Sequence, residues 1–202
     1  MLRAAAQGLD AVIVNPTFVL GPPIGTAPSM SIDVVRRFLR RRIPAYVDGG
    51  LNVVDVRDVA AGMILADEEG RCGERYILGG RNFTLQRLFA DLSRIGGVPV
   101  PPLRLSPRLA VASAEAAERL HLGIGFSVDQ VRAASLWWTY SAAKAKRELA
   151  FSARPHEETL EATLEATKAE LGEQAESEPG PADAAFELLG RASRVVGRLL
   201  PR

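Results

Sequence analysis

The chain has 202 residues, 47% of them hydrophobic, enough for a sizeable core in one or two domains. Twenty-five Lys and Arg balance 24 Asp and Glu to a formal charge of +1, so no chain-wide field favours nucleic acid or a membrane surface. The single Cys72 cannot close an internal disulfide, and with only His121 and His156 beside it no zinc-spaced ligand set exists, which fits a reducing cytoplasm.

Residues 2 to 7 read as the last turn of a helix, closed by Gly8 and followed by an apolar strand over Ala11 to Val14. That run does not alternate, which suits a parallel strand covered on both faces. The stretch Asn15-Pro16-Thr17-Phe18-Val19-Leu20-Gly21-Pro22-Pro23 ends it. Ser31 or Asp33 is expected to cap a helix running to Arg42, which Pro44 stops. Short strands are expected at Ala45 to Val47 and at Asn52 to Val56, and Asp58 is expected to cap a helix over Val59 to Glu69. A strand over Arg75 to Leu78 turns at Gly79-Gly80, and Thr84 caps the next helix.

Prolines 99, 101 and 102 break that helix, and the chain then becomes mostly helical. Helices are expected at Pro107 to Leu120, Val128 to Leu136, Ser141 to Leu149 and His156 to Leu171. Glu173 to Asp183 holds four acidic residues, two prolines and a glycine, and reads as a linker. Residues 184–202 form a basic amphipathic pattern, with Phe186, Leu189, Val196 and Leu199 on one helical face. Packing or an oligomer contact is preferred there to a weak membrane contact. No run approaches the roughly 20 apolar residues that span a bilayer.

Four segments occur in a consistent order. They are Asn15-Pro16-Thr17; Leu51 to Gly62, with Asp55-Val56-Arg57-Asp58; Gly73 to Gly80 followed by Thr84-Leu85; and Ser141 to Leu149 followed by Arg154-Pro155. Across residues 1 to about 170 this order resembles the C-terminal half of the extended short-chain dehydrogenase/reductases, the NAD-dependent epimerase/dehydratase family. Within that family the nearest likeness is to dihydroflavonol-reductase-like and hopanoid-associated sugar epimerase-like proteins. Ala150 departs from the pattern, since glycine is usual there.

The resemblance implies an α/β fold: the C-terminal part of a Rossmann-like doubly wound parallel sheet plus a mostly helical substrate-binding subdomain, with the N-terminal half of the Rossmann domain absent. Residues 1–62 would supply late strands and helices of the sheet, 63–172 mainly the substrate subdomain, 173–183 the acidic linker and 184–202 the basic helix. It further implies that Pro16, Thr17, Phe18 and Val19 border the nicotinamide of NAD or NADP, and that Asn15 and Asn52 face a small carbonyl or hydroxy substrate.

Two parts of a complete oxidoreductase of this kind are not found. Gly49-Gly50, Gly79-Gly80 and Gly96-Gly97 are the only glycine doublets, and none forms a phosphate-binding strand-turn-helix unit. Tyr140 and Lys144 have Tyr-x-x-x-Lys spacing but lie downstream of the nicotinamide-side strand, so they are expected to be a packing residue and a solvated one, with no catalytic residue assigned. The chain is therefore expected to be the substrate-binding half of a reductase or epimerase, inactive alone. A non-catalytic interaction or membrane-associated module built on the same fold is the alternative.

The arginines at 36, 37, 40, 41 and 42 read as a solvated helix face, and at least one of Trp137 and Trp138 as core. Asp55, Arg57 and Asp58 are open to a polar site or to capping with a local ion pair. Gly49-Gly50-Leu51-Asn52 lacks the arginine that nucleotide-sugar members commonly carry before this strand, which favours a smaller, more apolar substrate.

Overall fold

A computed structural model describes residues 2–22, 29–121 and 126–172. The expected linker and amphipathic helix, 173–183 and 184–202, lie outside the described residues. Leu2–Ala6 forms α1, and Gly8, at φ 98°, closes it by donating its N–H to the Ala5 carbonyl at 3.0 Å.

The next segment is one extended stretch that changes partner at Thr17. Its first part, β1 (Ile13–Pro16), runs parallel to the strand Arg75–Leu78, and its second, β2 (Phe18–Leu20), runs parallel to the strand Gly50–Asp55. Helix α2 spans Met30–Leu39, and its cap is Ser29, not Ser31 or Asp33 as expected. Ser29 is extended, and its hydroxyl accepts from the Ile32 N–H, whereas Ser31 and Asp33 already lie in the first turn. The helix ends three residues short of Arg42, and Arg41 is left-handed at φ 52°.

Strand β3 (Ala45–Val47) leads to β4 (Gly50–Asp55), which is the centre of its sheet. Helix α3 (Val56–Glu69) follows, capped by Asp55 accepting from the Arg57 N–H at 2.8 Å. Asp58 was the expected cap, but it sits inside the first turn and accepts instead from the Arg154 N–H at 2.8 Å. After β5 (Arg75–Leu78), Gly79-Gly80 reverses the chain into β6 (Arg81–Thr84), antiparallel to β4. Thr84 caps α4 (Leu85–Gly96) as expected, and β7 (Leu103–Leu105) pairs with β3.

Helices α5 (Pro107–Arg119) and α6 (Val128–Ala134) then lead to β8 (Trp137–Trp138), which joins β4 beyond the end of β2. Helices α7 (Ala143–Glu148) and α8 (His156–Leu171) complete the described fold. Both tryptophans are exposed, Trp137 at 62% and Trp138 at 45%, so the expectation of a core ring is corrected. Their strand is short and flanks the sheet, and the core positions are filled by other residues.

Two apolar clusters cover the central strands. Leu20, Val35, Phe38, Val53, Leu92 and Leu164 belong to one, and Val54, Val59, Tyr76, Leu78, Leu149 and Phe151 to the other. Neighbours Val53 and Val54 enter different clusters, as do Phe18 and Val19. That is why the strands read as continuous apolar runs. The architecture is α/β, with four parallel pairings and a mainly helical second half.

Candidate cofactor- and substrate-facing site

Asn15 and Pro16 are exposed at the carboxyl end of β1. Pro16 has no N–H, so the strand stops there without losing a ladder donor. Thr17 is half-buried and held from two directions: its N–H donates to the Leu78 carbonyl at 3.2 Å, and its hydroxyl donates to Asn52 Oδ1 at 2.8 Å. Phe18 and Val19 follow in register with Val53 and Val54 of β4, with their side chains packed against opposite clusters.

Asn52 is 2% exposed and its amide is committed inside the protein. Its Oδ1 also accepts from the Gly80 N–H at 2.9 Å, and its Nδ2 donates to Asn82 Oδ1 at 2.6 Å. Asn82 in turn donates to the Tyr140 carbonyl and accepts from the Tyr140 N–H, both at 3.1 Å. Thus the strand end predicted for the cofactor and the asparagine predicted for the substrate are joined in one network. Asn82 was not foreseen; the signal was its register directly opposite Asn52 on β6.

The Gly79-Gly80 doublet is needed here for close approach. A Cβ at Gly79 would lie 2.8 Å from Asn52 Oδ1, and one at Gly80 only 2.3 Å from the Val53 carbonyl oxygen. Gly49 and Gly50 do the same for the entry to β8: a Cβ at Gly49 would meet the Ala134 carbonyl oxygen at 2.0 Å, and one at Gly50 the Trp137 ring at 2.6 Å.

Gly21, at φ 126°, donates its N–H to Thr163 Oγ1 at 2.8 Å, which ties the loop after β2 to α8. Buried Thr163 and Thr167 donate back to the carbonyls of Thr159 and Thr163, each at 2.6 Å.

Beneath the strand ends, Asp55, Arg57, Asp58, Arg154 and Glu158 form an ionic lock between α3 and α8. Arg57 donates to both Asp55 oxygens at 2.8 and 2.9 Å, and Arg154 donates to Asp58 and to Glu158 at 2.9 Å. Burial pushes the Asp55 carboxyl up, but hydrogen bonds from Arg57 and Thr159 and the charge of Arg154 outweigh it and hold the group below its ordinary range. Capping and ion pairing account for Asp55, Arg57 and Asp58.

Tyr140 and Lys144 are not presented as a pair. Lys144 Nζ binds the Glu74 carboxylate and the Arg75 carbonyl and lies 4.5 Å from the Tyr76 ring centroid, so it is not the freely solvated residue expected. Tyr140 joins the asparagine network through its backbone, with its side chain exposed rather than packed. In the arginine cluster, Arg36 pairs with Asp33 and Glu170 and Arg37 lies over Phe126, while Arg40, Arg41 and Arg42 are exposed. Among the described residues no group of His, Cys, Asp and Glu is arranged to hold a metal ion. No described helix is long and apolar enough to cross a membrane.

No protein-family model matches the chain. It is 42% identical over 156 residues to a putative dihydroflavonol 4-reductase of Synechocystis, covering 73% of this chain and 45% of that protein. Among solved structures it superposes with a TM-score of 0.67, at 29% identity, on a nucleoside-diphosphate-sugar epimerase from Pseudomonas aeruginosa, covering 82% of this chain and 50% of that one. RMD from Pseudomonas aeruginosa, complexed with NADPH, shares the fold at 16% identity and a TM-score of 0.56, over 83% of this chain and 51% of that one. The chain spans about half the length of the relatives it matches. With the parallel strand end, the Asp55 helix cap and the Arg154 lock in place, the chain belongs to the extended short-chain dehydrogenase/reductase family and corresponds to the C-terminal portion of that family's fold.

Proposed function

We propose that this chain is the substrate-binding and sheet-completing part of an NAD(P)-dependent reductase or epimerase acting on a carbonyl or hydroxy compound, without oxidoreductase activity as an isolated polypeptide. The observation that carries this reading is the exposed Asn15-Pro16 end of a parallel strand, fixed by Thr17 against Asn52. Ligands of open parallel sheets bind beyond the carboxyl ends of the strands, and this end is open. The nicotinamide, when bound, supplies or accepts the hydride. Pro16, Thr17, Phe18 and Val19 border it.

Asn15 faces the substrate. Asn52 is a positioning residue on the substrate side, because its buried amide reaches the site only through Thr17 and Asn82. Residues 1–62 supply late strands and helices of the sheet domain and 63–172 mainly the substrate side; 184–202 serve packing or an oligomer contact. Leu51 packs half-buried against the first apolar cluster and brings no cation to the site, which favours a compact apolar substrate over a diphosphate.

The test is a chimera in which residues 1–172 replace the matched part of the Synechocystis relative, alongside the isolated chain. NADPH consumption with a ketone is expected from the chimera and none from the chain alone. Micromolar NADPH binding or ketone reduction by the isolated chain would overturn the reading, as would a folded chimera that binds no NADPH.

A further inference from the structure

We infer that Trp137 is a stacking wall for an apolar, planar ring of the substrate, placed on the same sheet face as Thr17 and the two asparagines. The inference deepens the proposed reading and rests on it. Side chains alternate along β4, so Gly50 and Asn52 share one face. The register sets Trp137 beside Gly50 and Asn82 beside Asn52, which brings the indole and the asparagine pair to that face. Gly50 makes this arrangement possible. Its missing Cβ would come within 2.6 Å of Trp137 Cε3 and 3.0 Å of Cζ3, so the ring's benzo edge lies directly against the strand backbone.

Two features point to the class of ligand. Trp137 is 62% exposed although one edge of its ring lies against Gly50, and an aromatic side chain so placed offers stacking area at little entropic cost. Most polar groups along the face are already spent, Asn52 on Thr17, Gly80 and Asn82, and Asn82 on Tyr140, which leaves Asn15 for a single carbonyl. A hydroxyl-rich ring would find few unpaired partners there, whereas an aryl ring needs none. Gly50 and Asn52 lie two residues apart, roughly 7 Å along the strand. An aryl ketone spans that distance, with its ring on Trp137 and its carbonyl toward Thr17 and Asn15.

Trp138 supplies an internal control. It points to the other face, and its indole N–H is tied to the Ala133 carbonyl at 2.8 Å. The chain contains only these two tryptophans, so a 15N spectrum of the full chain has two indole signals, assigned through Trp137→Leu and Trp138→Leu. Titration with 4-phenyl-3-buten-2-one is expected to move the Trp137 signal saturably and to leave that of Trp138 within a fifth of the shift. Affinity should fall at least tenfold in Trp137→Leu and less than threefold in Trp138→Leu. Methyl β-glucoside, the hydroxyl-rich alternative, should bind at least tenfold more weakly. An unmoved Trp137 signal in the unmodified chain, equal binding of the glucoside, or unchanged affinity in Trp137→Leu would overturn the inference. The titration contains no nicotinamide cofactor, so its failure is separate from that of the chimera assay.

Discussion

The Thr17 hydroxyl donates to Asn52 Oδ1 at 2.8 Å across 35 residues of sequence, and the same oxygen receives the Gly80 N–H. Replacing Asn52 by leucine strands Thr17 and Gly80 and takes one bond from Asn82. Urea unfolding should show a loss of about 3 kcal/mol, as expected when a buried polar hub is removed. Thr17→Val removes one bond and should cost about 1 kcal/mol. The double variant should cost less than the sum, since both changes delete the same contact.

Gly80→Ala tests the close approach of the β5–β6 turn to β4. The added methyl would sit 2.3 Å from the Val53 carbonyl oxygen, a backbone atom that cannot step aside without opening the β4–β6 ladder. A loss of about 2 kcal/mol or more is expected, together with faster amide exchange at residues 81–84. Gly97→Ala is a useful comparison. Nothing lies within 4 Å of its added Cβ, so any cost there comes from its left-handed φ of 74° alone.

Ala150 is left-handed, at φ 52°, and exposed. A side chain in that conformation costs about 1–2 kcal/mol, partly offset by the greater freedom glycine has when unfolded. Ala150→Gly should therefore stabilise the protein by about 0.5–1 kcal/mol. Thermal unfolding should show a higher midpoint than that of the parent; a lower one would contradict this account of the turn between α7 and Phe151.

Glu148 governs part of the acid sensitivity. Hydrogen bonds from Arg71 and then Arg147, set against partial burial, hold its carboxyl at about 2, down from 4.5. Because the folded value is the lower one, the unfolded chain binds the proton more readily. The contribution is complete above pH 4.5 and disappears as pH falls towards 2. Glu148→Gln should accordingly be destabilising at pH 7 and much less so at pH 2.5, by urea unfolding at both. Arg71 is largely exposed, so 1 M salt should shrink the difference at pH 7.

Local signals were the legible ones. Helix α8 runs His156–Leu171 as read, since Pro155 and Gly172 bracket it, and Thr84 caps α4 because no rival residue competes. Where two candidates stood close together, distant partners decided. Arg154, 96 residues away, takes the Asp58 carboxylate and leaves Asp55 as the cap. The strands β6, β7 and β8 were missed for a related reason. Each has two to four residues, and each exists only through a partner strand brought to it from elsewhere in the chain. Asn15-Pro16-Thr17 was visible as a strand end, but its fastening to Asn52 depends on a turn at Gly79-Gly80 that composition alone does not aim.

The bond from Gly21 to Thr163 spans 142 residues, and it reaches the loop directly after β2. A loop-closing contact of that length forms late, because much of the chain must already be ordered before its ends meet. During synthesis, the segment 18–22 therefore leaves the ribosome well before the helix that anchors it. Gly21 thus waits for a partner in the last described helix to emerge, whereas Phe18–Leu20 has an earlier partner in β4.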